Sequence, residues 1–117
     1  MFAFIVAMTL VQSFLTPLGG VSDNIRVEMW RPVIEQYFEV DQVDTALRVM
    51  ACESGGDPTV KNLHSSASGL FQHLDRYWDD RATAAGFPGA SVFDPEANIA
   101  ASAWLQQNHG WFHWSCY

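Results

Sequence analysis

The first strong pattern along the chain is a run of apolar residues at helical spacing between residues 27 and 38. Successive apolar positions are separated by 3, 3, 1, 3 and 1 residues: Val27, Trp30, Val33, Ile34, Tyr37 and Phe38. This is the period of one face of an α-helix. Pro32 fits best in a first helical turn, where its missing N–H costs no hydrogen bond. The pattern therefore predicts a helix that begins near Arg31.

A second helical pattern follows and ends at the two glycines at 55–56. Its predicted inner face is Val43, Ala46, Leu47, Met50 and Ala51. Either Asp41 or Asp44 can cap the start of this helix. Asp44 also precedes Arg48 by four residues, which favours a surface ion pair. The helix is predicted to carry Glu53 in its last turn, before a polar loop that leads to residues 69–72.

Two more helices are predicted in the second half of the chain. Residues 74–85 have a helical pattern whose likeliest buried side is Tyr77, Trp78 and Ala82, and residues 86–89 break it. The segment 94–96, Asp-Pro-Glu, is a strong helix start because it combines a capping side chain, a proline and an acid in the first turn. That helix is predicted to end near residues 108–110 and to carry Ala97, Ala100, Ala101, Trp104 and Leu105. The whole pattern predicts a mainly α fold with little or no β-structure, arranged around the helix of Glu53.

The first 20 residues differ in character from the rest of the chain. They contain no charged side chain, and the apolar run from Phe2 to Val11 is interrupted only by Thr9. Such a run is long enough for the core of a signal peptide and short for a membrane span. A basic residue near the start and a clean cleavage site are both missing, so a mis-assigned start or a packed arm remain alternatives. We predict that residues 1–20 are an export signal or a membrane anchor.

The charge of the remaining chain excludes one large class of partner. All 6 basic and all 13 acidic residues lie in the last 97 of the 117 residues, and the net charge is -7. A protein that binds nucleic acid needs a basic stripe that neutralises phosphates. We therefore expect no nucleic-acid partner, whereas a neutral sugar or a peptide is a compatible substrate.

The two cysteines, Cys52 and Cys116, are 64 positions apart. They lack the close spacing of metal-binding pairs, and an even count in an exported chain suggests one disulfide. Such a bridge would stabilise the fold by about 4 kcal/mol in the loop-entropy model. Two separate buried thiols are the alternative if the protein stays in the cytosol.

The C-terminal tail is rich in aromatic residues. Trp111 and Trp114 lie close to Cys116, and one exposed indole face there can stack on a sugar ring. We therefore count Trp111 among the candidate substrate-binding residues, although tryptophan is more often a core residue.

Three kinds of chemistry can be weighed from the residue types. His109 and His113 are separated by Gly110 and no third ligand is placed, so we predict no metal site and no cofactor. Ser54 beside Glu53 resembles no serine-nucleophile arrangement. A carboxylic acid at the end of a buried helix, facing a glycine-containing loop, can hold a proton near neutral pH and act as an acid. A solvated glutamate is the commoner fate of such a residue.

The segments around Glu53 resemble a known protein family. Residues 53–58 read E-S-G-G-D-P, Asn62 follows, and residues 68–72 read S-G-L-F-Q. This order is similar to the E-S-G-G-x-P…N…S-G-L-F-Q signature of lytic transglycosylase-like domains with the lysozyme fold.

The second half of the chain carries the same resemblance. Residues 93–101, 104–105 and 110–116 resemble the D-P-x-x-N-I…A-x-x-W-L…G-W-x-x-W-x-C end of the small actinobacterial and phage versions. These versions are similar to the catalytic domains of resuscitation-promoting factors. The resemblance covers roughly residues 28–116, and several motifs in the same order are more specific than any one of them.

The resemblance implies a lysozyme-like catalytic domain over residues 21–117, with a cleft for the glycan strands of peptidoglycan. Glu53 would protonate the glycosidic oxygen between N-acetylmuramic acid and N-acetylglucosamine. The muramic C6 hydroxyl would attack C1 while Glu53 takes a proton back, so the product would be a 1,6-anhydro sugar. Gln72 and Ser54 would bind substrate in the cleft, and Ser54 would also help to orient Glu53. The resemblance also supports a disulfide between Cys52 and Cys116.

Two other functions remain open. The A-Y-N tyrosine motif of larger transglycosylases has no match, so the chain can instead be a muramidase that uses water, activated by Asp57, Asp75 or another acid. It can also be a non-catalytic glycan-binding or virion structural module. We expect a secreted or cell-envelope protein, or alternatively a phage-associated one, with membrane contact through residues 1–20 only.

Overall fold

The computed structural model describes residues 25–117, and the predicted signal or anchor over residues 1–20 lies outside this part. Four α-helices dominate it: α1 (Arg31–Tyr37), α2 (Val43–Ser54), α3 (Asp75–Ala84) and α4 (Pro95–His109). A helical stretch over residues 25–28 precedes α1, and a 3-10 turn (Val40–Gln42) leads into α2. The predicted mainly α class is thus confirmed for the described residues.

β-Structure in residues 25–117 is limited to isolated bridges. Ser68 forms antiparallel bridges with both Lys61 and His73, without a strand on either side. Across the same residues, no helix is both long enough and apolar enough to span a membrane.

Helices α1 and α2 begin where local sequence favours them, but two surface details differ from the prediction. Pro32 lies in the first turn of α1, as expected. Gln42 occupies the N-cap of α2 without a side-chain capping bond, so neither predicted aspartate caps this helix. Asp44 pairs with Arg31 at 3.2 Å rather than with Arg48. The helix-to-helix contact offers Asp44 a cation that the sequence pattern of α2 alone does not show.

The buried face of α2 differs from the prediction at one residue. The residues buried in α2 are Val43, Ala46, Leu47, Val49 and Met50. Val49 takes the place predicted for Ala51, which is exposed. α2 packs against α1, and α1 also contacts α4.

Helix α4 is the longest helix of the described residues and contacts two of the other helices. Asp94 caps it as predicted, because its Oδ1 accepts the N–H of Ala97 at 2.9 Å, and Pro95 stands in the first turn. α4 contacts both α1 and α3. Eight of its residues are buried, which exceeds a single face: Ala97, Asn98, Ile99, Ala100, Ala101, Ser102, Ala103 and Leu105. Small side chains permit this close packing on several sides.

The indole N–H groups of four tryptophans form hydrogen bonds that connect loops and turns to the core. Each donates one hydrogen bond of 2.8–3.0 Å: Trp30 to Gly56 O, Trp78 to Ala90 O, Trp111 to Gln42 Oε1 and Trp114 to Phe71 O. The tryptophans therefore contribute both apolar area and buried polar contacts.

Candidate active site

Two glycines end α2 directly after the turn that carries Glu53. Gly55 takes the C-cap position at φ 65° and Gly56 follows at φ 79°, in the left-handed region that favours glycine. A Cβ atom at Gly56 would also lie 2.8 Å from the carbonyl oxygen of Arg26. The chain therefore leaves the helix sharply, and Glu53 lies in its last turn as predicted.

Ser54 lies beside Glu53 but acts on the backbone. Its hydroxyl donates to the carbonyl oxygen of Met50 at 3.2 Å and accepts the N–H of Gly56 at 3.2 Å. These bonds close the last turn of α2. Ser54 does not line the groove that contains Glu53. Its geometry supports a role in holding the helix end rather than the predicted contact with substrate.

A disulfide joins the end of α2 to the C-terminal tail. Cys52 and Cys116 are bonded, with Cα atoms 5.9 Å apart, which confirms the predicted pairing. The bridge brings the backbone of Cys116 close to Glu53, where the Cys116 N–H lowers the pKa of the Glu53 carboxyl group. The disulfide therefore places a hydrogen-bond donor at the candidate acid as well as constraining the chain.

Burial raises the pKa of Glu53 above its ordinary value. Loss of hydration disfavours the charged form of the carboxyl group, and the hydrogen bond from Cys116 is a smaller influence in the opposite direction. A carboxyl group in this state keeps its proton to a higher pH than a solvated glutamate does. That property is what a general acid near neutral pH requires.

The loop that faces Glu53 is held by Asn98 of α4. Asn98 Oδ1 accepts the N–H of Phe71 at 2.9 Å, and Nδ2 donates to the carbonyl oxygen of Val92 at 2.8 Å. A Cβ atom at Gly69 would lie only 2.3 Å from Asn98 Nδ2, so glycine is required there. The two segments that carry the family resemblance therefore meet in one hydrogen-bonded unit.

Gln72 ends this loop in an unusual backbone conformation and lines the groove. Its φ is 56°, and its Nε2 donates to the carbonyl oxygens of Val60 at 3.1 Å and Gly69 at 2.9 Å. Both amide hydrogens are thus used to fix the loop. The side-chain carbonyl oxygen is the group of Gln72 that remains to accept a hydrogen bond from a ligand.

Glu53 and Gln72 share an open groove of about 330 Å³. Its walls come from the end of α2, the loop of residues 62–67, helix α3 and the C-terminal tail. Within the described part of the chain, Glu53 is the one acid among the lining residues. Arg81 is the one arginine or lysine among them.

The alternative acids named from the sequence lie outside this groove. Asp57 Oδ1 accepts the backbone N–H and the hydroxyl of Thr59 at 2.9 and 2.7 Å, and these bonds lower the pKa of Asp57. Asp75 begins α3, where its backbone N–H donates to Ser66 Oγ at 2.9 Å. The Asp57 carboxylate therefore has a structural role in its turn, and neither aspartate lines the groove.

Trp111 does not reach the groove, so the prediction that it binds substrate is not supported. Phe38 stacks on Trp111 with ring centroids 5.7 Å apart, and Tyr117 also stacks on it at 5.8 Å. Only 6% of Trp111 is exposed. Trp114 lines the groove instead, although it is equally buried.

Helix α3 contributes a wall of the groove that the sequence pattern did not predict. Tyr77 was predicted to be buried, but 43% of it is exposed and it lines the groove together with Arg81. Their four-residue spacing places both on one face of α3, so the face itself was recognisable. The sequence pattern did not show that the C-terminal tail and the loop of residues 62–67 lie opposite this face, because the pattern describes only local structure.

His109 and His113 lie near each other, with ring centroids 6.0 Å apart. α4 ends at His109, with Gly110 at its C-cap, so the two histidines do not share a helical face. Residues 25–117 bring no group of three or more potential metal ligands together.

Comparison with known proteins adds no family assignment: no family model, curated protein or solved structure matches the chain. The resemblance to transglycosylase-like domains is therefore carried by the motifs around Glu53 and Asn98 alone.

Proposed function

We propose that the protein cleaves peptidoglycan glycan strands as a lytic transglycosylase with a lysozyme-like fold, and that Glu53 is its catalytic acid. The observation that carries this proposal is a carboxyl group of raised pKa that is the one acid lining the groove in residues 25–117. A glycosidase that uses two enzymic carboxylates needs both of them at the scissile bond. A transglycosylase needs only one, because the sugar supplies the nucleophile.

The proton balance of this reaction requires only Glu53. Its carboxyl group donates a proton to the glycosidic oxygen as the bond from C1 of N-acetylmuramic acid to that oxygen breaks. The C6 hydroxyl of the same sugar attacks C1, and its proton passes to the Glu53 carboxylate. The products are a 1,6-anhydro muramyl end and a free C4 hydroxyl on N-acetylglucosamine. Glu53 returns to its protonated form for the next cycle.

The groove geometry supports this scheme beyond the acid itself. The groove is open, as a polymeric substrate requires, and Gln72 presents a carbonyl oxygen on a loop that its own amide group fixes. The Cys52–Cys116 disulfide is compatible with a secreted protein. Export to the cell envelope would bring the enzyme to its substrate.

Digestion of purified peptidoglycan, followed by mass measurement of the soluble muropeptides, tests the proposal. Products with anhydro ends support transglycosylation. Products with reducing ends, heavier by one water molecule, would instead identify a hydrolytic muramidase. A protein that releases nothing while it still binds the glycan would be a non-catalytic module.

A further inference from the structure

Arg81 is partly buried in the groove wall, yet no carboxylate of residues 25–117 forms an ion pair with it. The contrast with Arg31 is direct, since Arg31 binds Glu28 at 2.8 Å and Asp44 at 3.2 Å. The chain has 13 acidic against 6 basic residues, so acids are plentiful. A guanidinium group that lies in a groove without a carboxylate partner keeps its charge for a ligand.

A buried histidine holds the Arg81 guanidinium in place. Arg81 Nη1 lies 3.0 Å from His73 Nδ1, and a guanidinium can only donate, so Nδ1 must accept. The ring proton of His73 is then on Nε2, which lies 2.7 Å from Ser102 Oγ. The Ser102 hydroxyl donates in turn to the carbonyl oxygen of Asn98 at 2.8 Å. This chain of bonds fixes the tautomer of His73 and anchors Arg81 to α4.

The state of His73 agrees with this assignment. Burial, followed by the nearby Arg81 charge, lowers the pKa of His73 to about 3, so the ring is neutral at neutral pH. Arg81 also lies over the ring of Tyr77, with its guanidinium carbon 4.8 Å from the ring centroid. The guanidinium is thus restrained by two neighbours. It has five N–H donors, and its described hydrogen bond to His73 uses one.

The position of Arg81 suits a charged substituent next to the glycan backbone. Arg81 lines the groove of Glu53 and also a second, adjoining pocket whose walls include Trp104, Leu105 and Phe112. Asp80 lines the second pocket as well, without an ion pair to Arg81. Within residues 25–117, no ion pair joins Glu53 and Arg81.

We propose that Arg81 is a carboxylate-binding subsite of the groove, with His73 as its positioning residue, and that it takes a carboxylate of the muramyl sugar or its stem peptide. This proposal rests on the proposed function for the identity of the sugar. Muramic acid carries a lactyl carboxylate when it is unsubstituted, and a stem peptide carries its own carboxylates. An arginine fork binds such a group through two parallel hydrogen bonds.

Binding to the full-length Glu53→Gln protein tests the subsite without cleavage. The probes are three tetrasaccharides: one with free lactyl carboxylates, one with stem peptides, and the N-acetylglucosamine tetramer, which has no carboxylate. Arg81→Gln should weaken binding of at least one carboxylate-bearing probe by about 10–100-fold, and leave the neutral tetramer unchanged. Loss for the lactyl probe identifies the lactyl group as the ligand. Loss for the stem-bearing probe alone identifies the peptide.

Arg76→Gln is the matched control. Arg76 lies on the same helix and also over the Tyr77 ring, at 5.0 Å, but it is exposed and outside both pockets. It removes the same charge and should change none of the three affinities. Arg81→Lys keeps the charge without the fork and should give an intermediate loss, which covers the case in which Arg81→Gln fails to fold. Equal binding of the carboxylate probes by the Arg81 and Arg76 variants would overturn the proposal.

Failure of the proposed function gives a different result. In this case the wild-type protein cuts no peptidoglycan, while Arg81 still makes it prefer a carboxylate-bearing probe over the neutral tetramer. That result would refute the proposed enzymatic activity and support the carboxylate-binding subsite. If none of the tetrasaccharides binds, titration with D-lactate tests whether Arg81 binds a carboxylate. The arginine side-chain NMR signals report the binding. A shift of the Arg81 signal that is absent in Arg81→Gln retains the subsite, and no shift overturns it.

Discussion

Glu53 and His73 line the same groove and both lose hydration, but burial moves their pKa values in opposite directions. It raises the pKa of Glu53 and lowers that of His73, because in each case the neutral form is favoured. The difference lies in what their polar atoms contact. Both ring nitrogens of His73 are bound to protein partners, Ser102 and Arg81. The carboxyl group of Glu53 has a single backbone N–H, that of Cys116, among the influences on its pKa.

The comparison shows that desolvation prepares a group for proton transfer only where hydrogen-bonding positions remain open. The proton of His73 is used inside the fold, where it bonds Ser102. Glu53 lines the groove, so its carboxyl group is accessible to a ligand. Five predictions test this division, and those that expect a change run from the largest effect to the smallest.

Glu53→Gln should lower the cleavage rate by at least about 10²–10⁴-fold, because an amide cannot donate or recover the proton. Digestion rates of purified peptidoglycan measure the effect, and thermal melting checks that the fold is intact. Glu35→Gln, at an exposed position of α1, is the matched control and should retain full activity. A Glu53→Gln protein that melts normally and cuts near the wild-type rate would refute Glu53 as the acid.

Asp57→Asn and Asp75→Asn test whether a second enzymic acid takes part in cleavage. Both changes preserve hydrogen-bond acceptors, and neither residue lines the groove. Anhydro products at near wild-type rates are expected from both variants. Loss of activity in either one, with the fold retained, would favour a second enzymic acid.

Replacement of Cys52 and Cys116 by alanine should lower the free energy of unfolding by about 4 kcal/mol in the loop-entropy model. Urea unfolding measures this cost. The active site should respond as well, because Glu53 loses the ordered N–H of Cys116, which holds its pKa down. The alkaline limb of the rate profile should then move to higher pH.

Intact mass checks that the bridge is present in protein from its native compartment. Reduction should add two hydrogens. Two thiols that alkylate without prior reduction would contradict the bridge.

His73→Gln should lower the free energy of unfolding by about 1–3 kcal/mol, because a glutamine cannot bond both Ser102 and Arg81 with the geometry of the ring. The variant should also change acid stability. The unfolded chain protonates His73 near pH 6.5, whereas the folded protein resists until about pH 3. Stability that is present above pH 6.5 is therefore lost as pH falls toward 3, by up to about 1.4 kcal/mol per pH unit.

Chemical denaturation at a series of pH values tests this, and His73→Gln should lack the His73 part of the slope. His64→Gln, at an exposed loop position, should keep the wild-type slope. An unchanged slope in the His73 variant would mean that this ring is not the group that resists protonation.

The smallest expected effect is a stability gain in Glu53→Gln that depends on pH. The pKa of Glu53 is raised in the folded state, so the cost of its buried charge is absent below the unfolded value of 4.5 and appears as pH rises through the folded pKa. The variant should melt like the wild type near pH 4 and slightly above it at pH 7. A difference in melting temperature that is constant with pH would contradict the raised pKa.

Local rules predicted the elements that present the acid. The ends of α2 and α4 were placed correctly because glycine at 55–56 and Asp94-Pro95 act on their immediate neighbours. The disulfide also followed from counting cysteines, since two residues allow only one pairing. Errors arose where a side chain chooses between distant partners. Asp44 pairs with Arg31 of α1, and Trp111 is covered by Phe38 and Tyr117.

The sequence by itself determined a mainly helical chain with Glu53 at a helix end, because helix period, proline and glycine act over a few residues. The tertiary structure decided which residues share a groove with that acid. His73 comes from the segment before α3, Arg81 from α3 and Trp114 from the C-terminal tail, and they meet Glu53 only after packing. It also decided the directions in which the pKa values of Glu53 and His73 shift, because the loss of hydration that shifts a pKa depends on every element packed around the group.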